Sequence, residues 1–112
     1  PDLKVNGEKA GDVLIVGWGG TYGHLLSAYE TLTEEGVKGV SLAHFDWINP
    51  LPKNTEAIFA GFRKILVCEL NSGQFAGLLR MKLPEHTYVQ CNKVEGQPFL
   101  VSEIVKAVKN CL

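Results

Sequence analysis

The sequence lacks the features that mark several large classes of protein. No apolar run approaches the about 20 residues that a membrane-spanning helix needs, and the start, Pro-Asp-Leu-Lys, lacks the basic and then apolar order of a signal peptide. The 11 basic and 12 acidic side chains are interspersed, unlike the one-sided positive charge of a domain that binds nucleic acid or a membrane surface. We therefore expect a cytoplasmic protein with neither kind of partner.

Residues that bind metals or act as nucleophiles are also scarce. No Cys-x-x-Cys pair begins a zinc or iron–sulfur site, and the histidines show neither metal-ligand spacing nor a nucleophile pair. We expect reduced, buried thiols and structural or exposed imidazoles. The cysteines are Cys68, Cys91 and Cys111, and the histidines are His24, His44 and His86.

Length and composition indicate a folded globular domain. The chain has 112 residues, of which 46% are hydrophobic and 21% charged, so one hydrophobic core is expected. We predict a single domain over residues 1–112. Pro1 in place of a methionine suggests that this domain is an excised fragment of a longer chain.

Strand-like and helix-like segments alternate along the chain. Such alternation over short connections predicts parallel strands joined by right-handed crossovers, in three α/β/α layers. The predicted strands cover 12–17, 37–45, 64–69 and 87–91, with the second and third flanking the first and the last outermost. Residues 3–5 predict a short edge strand that turns back through Asn6-Gly7. Helices are expected from Tyr22 to an end at Gly36, after a cap at Thr55 that leads to Phe62, after Asn71-Ser72-Gly73, and from Val101.

A glycine-rich segment, Gly-Trp-Gly-Gly-Thr-Tyr-Gly at 17–23, follows the first buried strand. Backbone N–H groups at such a turn can hold a phosphate or carboxylate. The alternative is a tight turn that needs glycine for its backbone angles. Tyr22 stands where a dinucleotide fingerprint has glycine, and Trp18 suits a contact between domains better than a phosphate cradle.

A polar segment, Glu-Leu-Asn-Ser-Gly-Gln at 69–74, follows the strand at 64–69. Capping of a helix by Asn71 or Ser72 explains part of it. Glu69 and Gln74 are then left for a ligand or a neighbouring loop, although a lone Glu69 is a general base only with a partner at hydrogen-bond distance. The long loops at 46–52 and 92–99 are either ordinary surface loops or contacts for a partner.

Four segments in order resemble the C-terminal part of 2-oxoacid:ferredoxin oxidoreductase α-chains, those for 2-oxoglutarate among them. They are Gly-Trp-Gly-Gly-Thr-Tyr-Gly at 17–23, Asn-Pro-Leu-Pro at 49–52, Glu-Leu-Asn-Ser-Gly-Gln at 69–74 and Asn-Lys-Val-Glu-Gly-Gln-Pro-Phe at 92–99. Singly each is weak, but together they span nearly the whole chain.

This resemblance implies the transketolase C-terminal-domain fold, a mostly parallel sheet of four to five strands whose first strand is antiparallel. It also implies an enzyme complex that makes acyl-CoA, CO2 and reduced ferredoxin with thiamine diphosphate, Mg2+ and an iron–sulfur cluster. Thiamine enzymes of this kind carry Gly-Asp-Gly and, further on, asparagines that hold magnesium, whereas Gly11-Asp12 here continues into Val13. We therefore expect this fragment to bind none of these cofactors and to be inactive by itself.

The resemblance thus predicts a docking and assembly domain that contacts the remaining domains of the α-chain and the β-subunit, while ferredoxin and CoA serve the whole complex. A regulatory module that binds a small anion or CoA at the glycine-rich turn is the alternative, and a free-standing nicotinamide-binding domain has little support. The candidate interface or ligand residues are Trp18, Gly19, Gly20, Thr21, Tyr22, Trp47, Asn49, Pro50, Glu69, Asn71, Gln74, Asn92, Lys93 and Gln97.

Overall fold

The apolar runs form a five-stranded sheet in the computed structural model, which describes residues 2–70, 73–93 and 99–112. The strands are β1 (Val5–Asn6), β2 (Gly11–Trp18), β3 (Val40–Phe45), β4 (Phe62–Glu69) and β5 (Tyr88–Asn92). The helices are α1 (Tyr22–Glu34), α2 (Thr55–Phe59), α3 (Gln74–Lys82) and α4 (Val101–Cys111), and a 3-10 turn, Gly19–Thr21, precedes α1.

Strand β2 lies at the centre of the sheet. Its residues Val13 to Val16 are fully buried, as expected of a parallel strand covered on both faces. It pairs in parallel with β3 on one side and β4 on the other, so Val16 lies opposite both Ala43 and Val67. The order β1-β3-β2-β4-β5 confirms the predicted arrangement, with the more polar β5 outermost.

The predicted antiparallel edge strand is present. Strand β1 pairs with β3, with Val5 opposite Ala43, rather than with β2, the next strand along the chain. It also lies later than the predicted 3–5. Gly7 has φ +104°, so the chain leaves β1 through a turn that favours glycine and then crosses to the centre of the sheet.

Helices cover the sheet on both faces, which confirms the three-layer α/β/α architecture. The face under α2 and α3 contains a cluster that includes Leu14, Phe45, Phe59 and Phe75. The opposite face, under α1 and α4, buries a second cluster. The main members of this second cluster are Val13, Ile15, Leu25, Leu42, Leu66, Cys68, Ile104 and Val108.

The start of β3 differs from the predicted one for a local reason. The strand predicted at 37–45 begins at Val40, because Gly36 and Gly39 both have positive φ and turn the chain between α1 and β3. The carbonyl of Gly39 accepts hydrogen bonds from the N–H groups of Asp12 and Val13 at 2.8 and 3.0 Å, which joins this turn to the start of β2.

The prediction that Thr55 caps α2 was also wrong. Asn54 holds the N-cap position, and its side chain pairs with the backbone N–H and C=O of Leu3 at 2.8 and 2.9 Å. Thr55 is the first helical residue, and its hydroxyl donates to the Pro52 carbonyl at 2.7 Å. Phe62, expected on the same helix, lies in β4 because α2 ends at Phe59.

Within the described residues, no helix combines the length and apolar character needed to cross a membrane.

Tyr88 leads to a prediction about stability in alkali. Burial and the neighbouring Glu56 carboxylate raise the pKa of Tyr88 to about 12, against the opposing charge of Arg80. The phenol donates to the Leu83 carbonyl at 2.8 Å. Since the pKa is higher in the folded state, this contribution is complete below about pH 10 and is lost as pH rises to about 12. We expect urea unfolding to show a stability difference between wild type and Tyr88→Phe that shrinks across this window; a constant difference would contradict the assignment.

Candidate functional site

The carboxyl ends of β2, β3, β4 and β5 meet at one edge of the sheet because these four strands are mutually parallel. We call this edge, residues 18–22, 46–50, 69–70, 73–74 and 92–93, the carboxyl edge. In open α/β sheets this is where ligands and partners bind. The structure therefore brings together the described parts of all four segments that the sequence singled out. Asn71 and Gln97 lie outside the described residues.

The glycine-rich turn after β2 is partly explained by packing. A Cβ atom on Gly17 would lie 2.5 Å from Leu25 Cδ1, and Gly19 has φ +70°, so both positions favour glycine. Thr21 is buried, and its hydroxyl donates to the Trp18 carbonyl at 3.3 Å. A Cβ atom on Gly20 would meet nothing within 4 Å, so neither packing nor a positive φ explains this glycine.

His44 joins two loops of the carboxyl edge. Its Nε2 lies 3.0 Å from the Gly19 carbonyl, which can only accept, so Nε2 carries the proton. Its Nδ1 lies 3.7 Å from Asp46 Oδ1. The ring centroids of His44 and Tyr22 are 5.1 Å apart. His44 is therefore structural, as expected, and it holds the glycine-rich turn against β3.

A cavity of about 380 Å³ opens beside this histidine, between β1, β3 and the loop after β3. Tyr22 and Trp47 supply aromatic walls, and Lys4 and Asp46 supply charges of opposite sign. The sequence reasoning did not place Lys4 in the site. The predicted edge strand at 3–5 was the only sequence feature that pointed to Lys4. An edge strand antiparallel to β3 begins where β3 ends, so it brings the start of the chain to the carboxyl edge.

Three large aromatic side chains remain exposed along this edge. Trp18 is 39%, Tyr22 42% and Trp47 63% accessible. Asn49 and Pro50 are exposed beside Trp47. Isolated exposed apolar residues are common, but three aromatic rings at one edge of a sheet are typical of a contact surface.

Glu69 has a structural role that the sequence reasoning missed. It is 2% exposed, and its two carboxylate oxygens accept from the N–H groups of Phe75 and Ala76 at 2.8 and 2.9 Å. These donors belong to the first turn of α3, where N–H groups lack partners within the helix. The last residue of β4 therefore caps α3, which corrects the expectation that capping does not account for Glu69. The sequence feature that could have indicated this cap is a carboxylate at the end of a predicted strand, a few residues before a predicted helix.

The remaining candidate residues differ in exposure. Gln74 and Asn92 are exposed. Lys93 is half-buried, and its Nζ lies 2.6 Å from an oxygen of Glu103, which lowers the pKa of that carboxyl group. The second oxygen of Glu103 accepts from the Leu100 N–H at 2.9 Å, so Lys93 is connected to the N-terminus of α4. The backbone N–H of Lys93 donates to the Glu69 carbonyl at 3.0 Å. This bond joins the segment that follows β5 to the end of β4.

The arrangement suits recognition better than acid–base catalysis or metal binding. Both oxygens of Glu69 are occupied by backbone donors, and His44 is held by the Gly19 carbonyl. In the described part of the chain, no three His, Cys, Asp or Glu side chains are grouped so as to hold a metal ion. These residues therefore do not fit an iron–sulfur cluster, which needs a group of cysteine ligands.

Several solved structures share this fold. The chain aligns with 2-oxoglutarate:ferredoxin oxidoreductase from Magnetococcus marinus at a TM-score of 0.89 and 30% identity, over 98% of this chain and 19% of that one. A split-gene transketolase aligns at 0.67 and 20% identity, over 97% and 42% of the two chains. The α chain of a probable 2-oxoacid ferredoxin oxidoreductase from Thermoplasma acidophilum aligns at 0.64 and 24% identity, over 97% and 95%.

Curated sequences point to the same group. The chain is 35% identical over 114 aligned residues to the 2-oxoglutarate oxidoreductase subunit KorA of Mycobacterium tuberculosis, covering 100% of this chain and 17% of that subunit. It is 30% identical to the α subunit of 2-oxoacid:ferredoxin oxidoreductase 2 of Aeropyrum pernix, covering 96% and 17%. No protein-family model matches the chain.

The sheet order, the antiparallel edge strand and the solved neighbours define a mixed α/β domain of the transketolase-like class. Within that class, the chain is homologous over its whole length to a segment of 2-oxoacid:ferredoxin oxidoreductase α-subunits, which confirms the resemblance seen in the sequence. It spans about a sixth of the length of the curated relatives, 17% in each case.

The capping role of Glu69 predicts a large loss of stability on substitution. Glu69→Gln keeps the size of the side chain but places an amide NH2 group against a backbone N–H, so one buried donor loses its acceptor. We expect the free energy of unfolding in urea to fall by about 1.5–3 kcal/mol, the range for hydrogen bonds to charged groups. Glu85→Gln, at an exposed turn, is the control and should change it by less than about 0.5 kcal/mol. Equal stability of the two variants would contradict the capping role.

Proposed function

We propose that this chain is a non-catalytic C-terminal domain of the α-subunit of a thiamine-dependent 2-oxoacid:ferredoxin oxidoreductase, with 2-oxoglutarate as the expected oxoacid. The whole complex would make acyl-CoA, CO2 and reduced ferredoxin. Thiamine diphosphate, Mg2+ and the iron–sulfur cluster would be held by other domains or the β-subunit. Homology to α-subunits over the whole of this chain supports the assignment.

The role proposed for the chain itself is docking and assembly through the carboxyl edge. The observation that carries it is the group of exposed aromatic side chains at one edge, Trp18, Tyr22 and Trp47. Tryptophan and tyrosine dominate the binding energy of protein interfaces because they bury a large area with little loss of side-chain entropy. The partners proposed are the remaining domains of the α-chain and the β-subunit.

The polar groups beneath these rings support a rigid surface. Glu69 joins β4 to α3, and His44 joins β3 to the turn after β2. Lys93 joins β5 to α4 through Glu103. A surface whose loops are already held in place loses less conformational entropy on binding, which favours association with a partner.

Trp47 provides the sharpest test of docking. The Trp47→Ala chain is titrated with the rest of its own α-chain assembled with its β-subunit, and binding is measured by calorimetry. We expect the dissociation constant to rise about tenfold or more, because the loss of a central aromatic contact costs on the order of 2 kcal/mol.

Met81 offers a matched control on the same molecule. It is 70% exposed, but it lies near the C-terminal end of α3, whereas the carboxyl edge adjoins the N-terminal end of that helix. Met81→Ala should leave binding unchanged. Docking through the carboxyl edge would be refuted if the two variants bound equally well, or if wild type did not bind.

The second candidate is a regulatory module that binds a small anion or CoA at the glycine-rich turn. Two features favour it: the Thr21 side chain at the N-cap of α1 makes no capping hydrogen bond, and Gly20 and Gly23 have open space where a Cβ would stand. The N-terminus of a helix offers free N–H groups and a favourable dipole to an anion. The Magnetococcus marinus enzyme was solved with coenzyme A bound.

Ligand titration separates the two candidates. The isolated chain is titrated with coenzyme A, and separately with thiamine diphosphate and Mg2+, while backbone amides are followed by NMR. Docking predicts no saturable binding of either ligand, and protection of the Gly20 and Thr21 amides only after the partner subunits are added. Their protection by coenzyme A alone would favour the regulatory module, and saturable binding of thiamine diphosphate would contradict the non-catalytic assignment.

A further inference from the structure

The three cysteines lie in the cluster under α1 and α4, and two of them are direct neighbours. Cys68 in β4 and Cys91 in β5 are register partners in a parallel pair. Cys111, at the end of α4, belongs to the same cluster. All three cysteines are free thiols.

The strand register sets the distance between Cys68 and Cys91. Neighbouring strands lie about 4.8 Å apart, and disulfides form between residues whose Cα atoms are about 4.4–6.8 Å apart. Both side chains point to the same face of the sheet, since both belong to the cluster under α1 and α4. The pair therefore meets the distance and direction requirements of a disulfide without a rearrangement of the backbone.

The two thiols differ in exposure and acidity. Cys68 is fully buried, whereas Cys91 is half-buried on the outermost strand. A hydrogen bond from the Cys68 thiol lowers the pKa of the Cys91 thiol, against the opposing effects of burial and Glu103 and with help from the Lys93 ammonium group. The same hydrogen bond, together with burial, raises the pKa of Cys68. Burial also raises the pKa of Cys111.

We propose that Cys91 is a modification site, oxidised by hydroperoxides, with Cys68 as the resolving thiol that closes a Cys68–Cys91 disulfide between β4 and β5. The site is assigned by the direct pairing of the two residues and by the exposure of Cys91 at the edge of the sheet. The thiolate is the nucleophile in such an oxidation, and the partial exposure of Cys91 allows a peroxide to reach it.

The reaction balances with a peroxide as the oxidant. The Cys91 thiolate attacks one peroxide oxygen, an S–O bond forms, the O–O bond breaks, and hydroxide leaves and takes up a proton as water. The Cys68 sulfur then attacks the Cys91 sulfenic acid, an S–S bond forms, the S–O bond breaks, and the departing oxygen leaves as water with the Cys68 proton. Two thiols lose two electrons, and one hydrogen peroxide becomes two waters.

Oxidation of the pair would affect the carboxyl edge, because each cysteine directly precedes a residue of that edge. Cys68 immediately precedes Glu69, which caps α3, and Cys91 immediately precedes Asn92. The strand pairing continues one step beyond the cysteines, with Glu69 opposite Asn92. A disulfide here would join β5 covalently to β4, just before the segments that begin at Glu69 and Asn92.

The test is peroxide treatment of the reduced 112-residue chain, followed by alkylation under denaturing conditions and peptide mapping by mass spectrometry. We expect the three free thiols to fall to one, on Cys111, with a linked peptide pair that contains Cys68 and Cys91. In the untreated native chain, a small alkylating agent should modify Cys91 at least about tenfold faster than Cys111. A disulfide that involves Cys111, or three unchanged thiols, would overturn the proposal.

Three variants assign the separate roles. Cys68→Ala should leave a sulfenic acid on Cys91 that dimedone traps, and Cys91→Ala should abolish both the disulfide and the trapped species. Cys111→Ala, the matched control from the same cluster, should form the disulfide at the wild-type rate. If Cys111→Ala lost the disulfide to the same extent as Cys91→Ala, the assignment would be refuted. The mapping of the wild-type chain decides the proposal even if a variant at the buried Cys68 fails to fold.

Discussion

Strand β2 is hydrogen-bonded in parallel to β3 on one side and to β4 on the other, and this pairing decides where the loops of the chain lie. Parallel strands run in the same direction, so each must end at the same edge before its crossover begins. Segments that are distant in sequence, such as those at 18–22 and 92–93, are therefore gathered along one carboxyl edge. The full burial of Val13 to Val16 holds this arrangement in place.

Polar side chains at that edge serve mainly to hold its loops. The clearest case is Glu69, a buried carboxylate that would be costly if it lacked partners. Two N–H groups of α3 solvate it, and in return it supplies acceptors that the first turn of the helix needs. His44 and Lys93 make comparable connections for the neighbouring loops. The aromatic rings therefore lie on a framework whose polar groups are already committed to structure.

The pairing of β4 with β5 makes two of the three cysteines direct neighbours. Cys68 and Cys91 are separated by 23 residues in the sequence, yet the β4–β5 register places them directly opposite each other. Cys111 lacks such a partner position, because it lies on a helix. The thiol pair and the proposed docking through the carboxyl edge are separate properties, and each can be tested without the other.

Periodicity and composition were enough to predict the order of strands and helices, because buried parallel strands leave continuous apolar runs and covering helices leave a 3.6-residue pattern. The antiparallel edge strand and the family resemblance were also visible in the sequence. Local features were harder to predict. Gly36 and Gly39 shortened β3, and Asn54 rather than Thr55 holds the N-cap position of α2.

The bond between His44 and Gly19, the cavity beside Trp47 and the pairing of Cys68 with Cys91 depended on tertiary structure alone. Local pattern reflects the energetics of neighbouring residues, whereas these contacts join residues that only the strand register brings together.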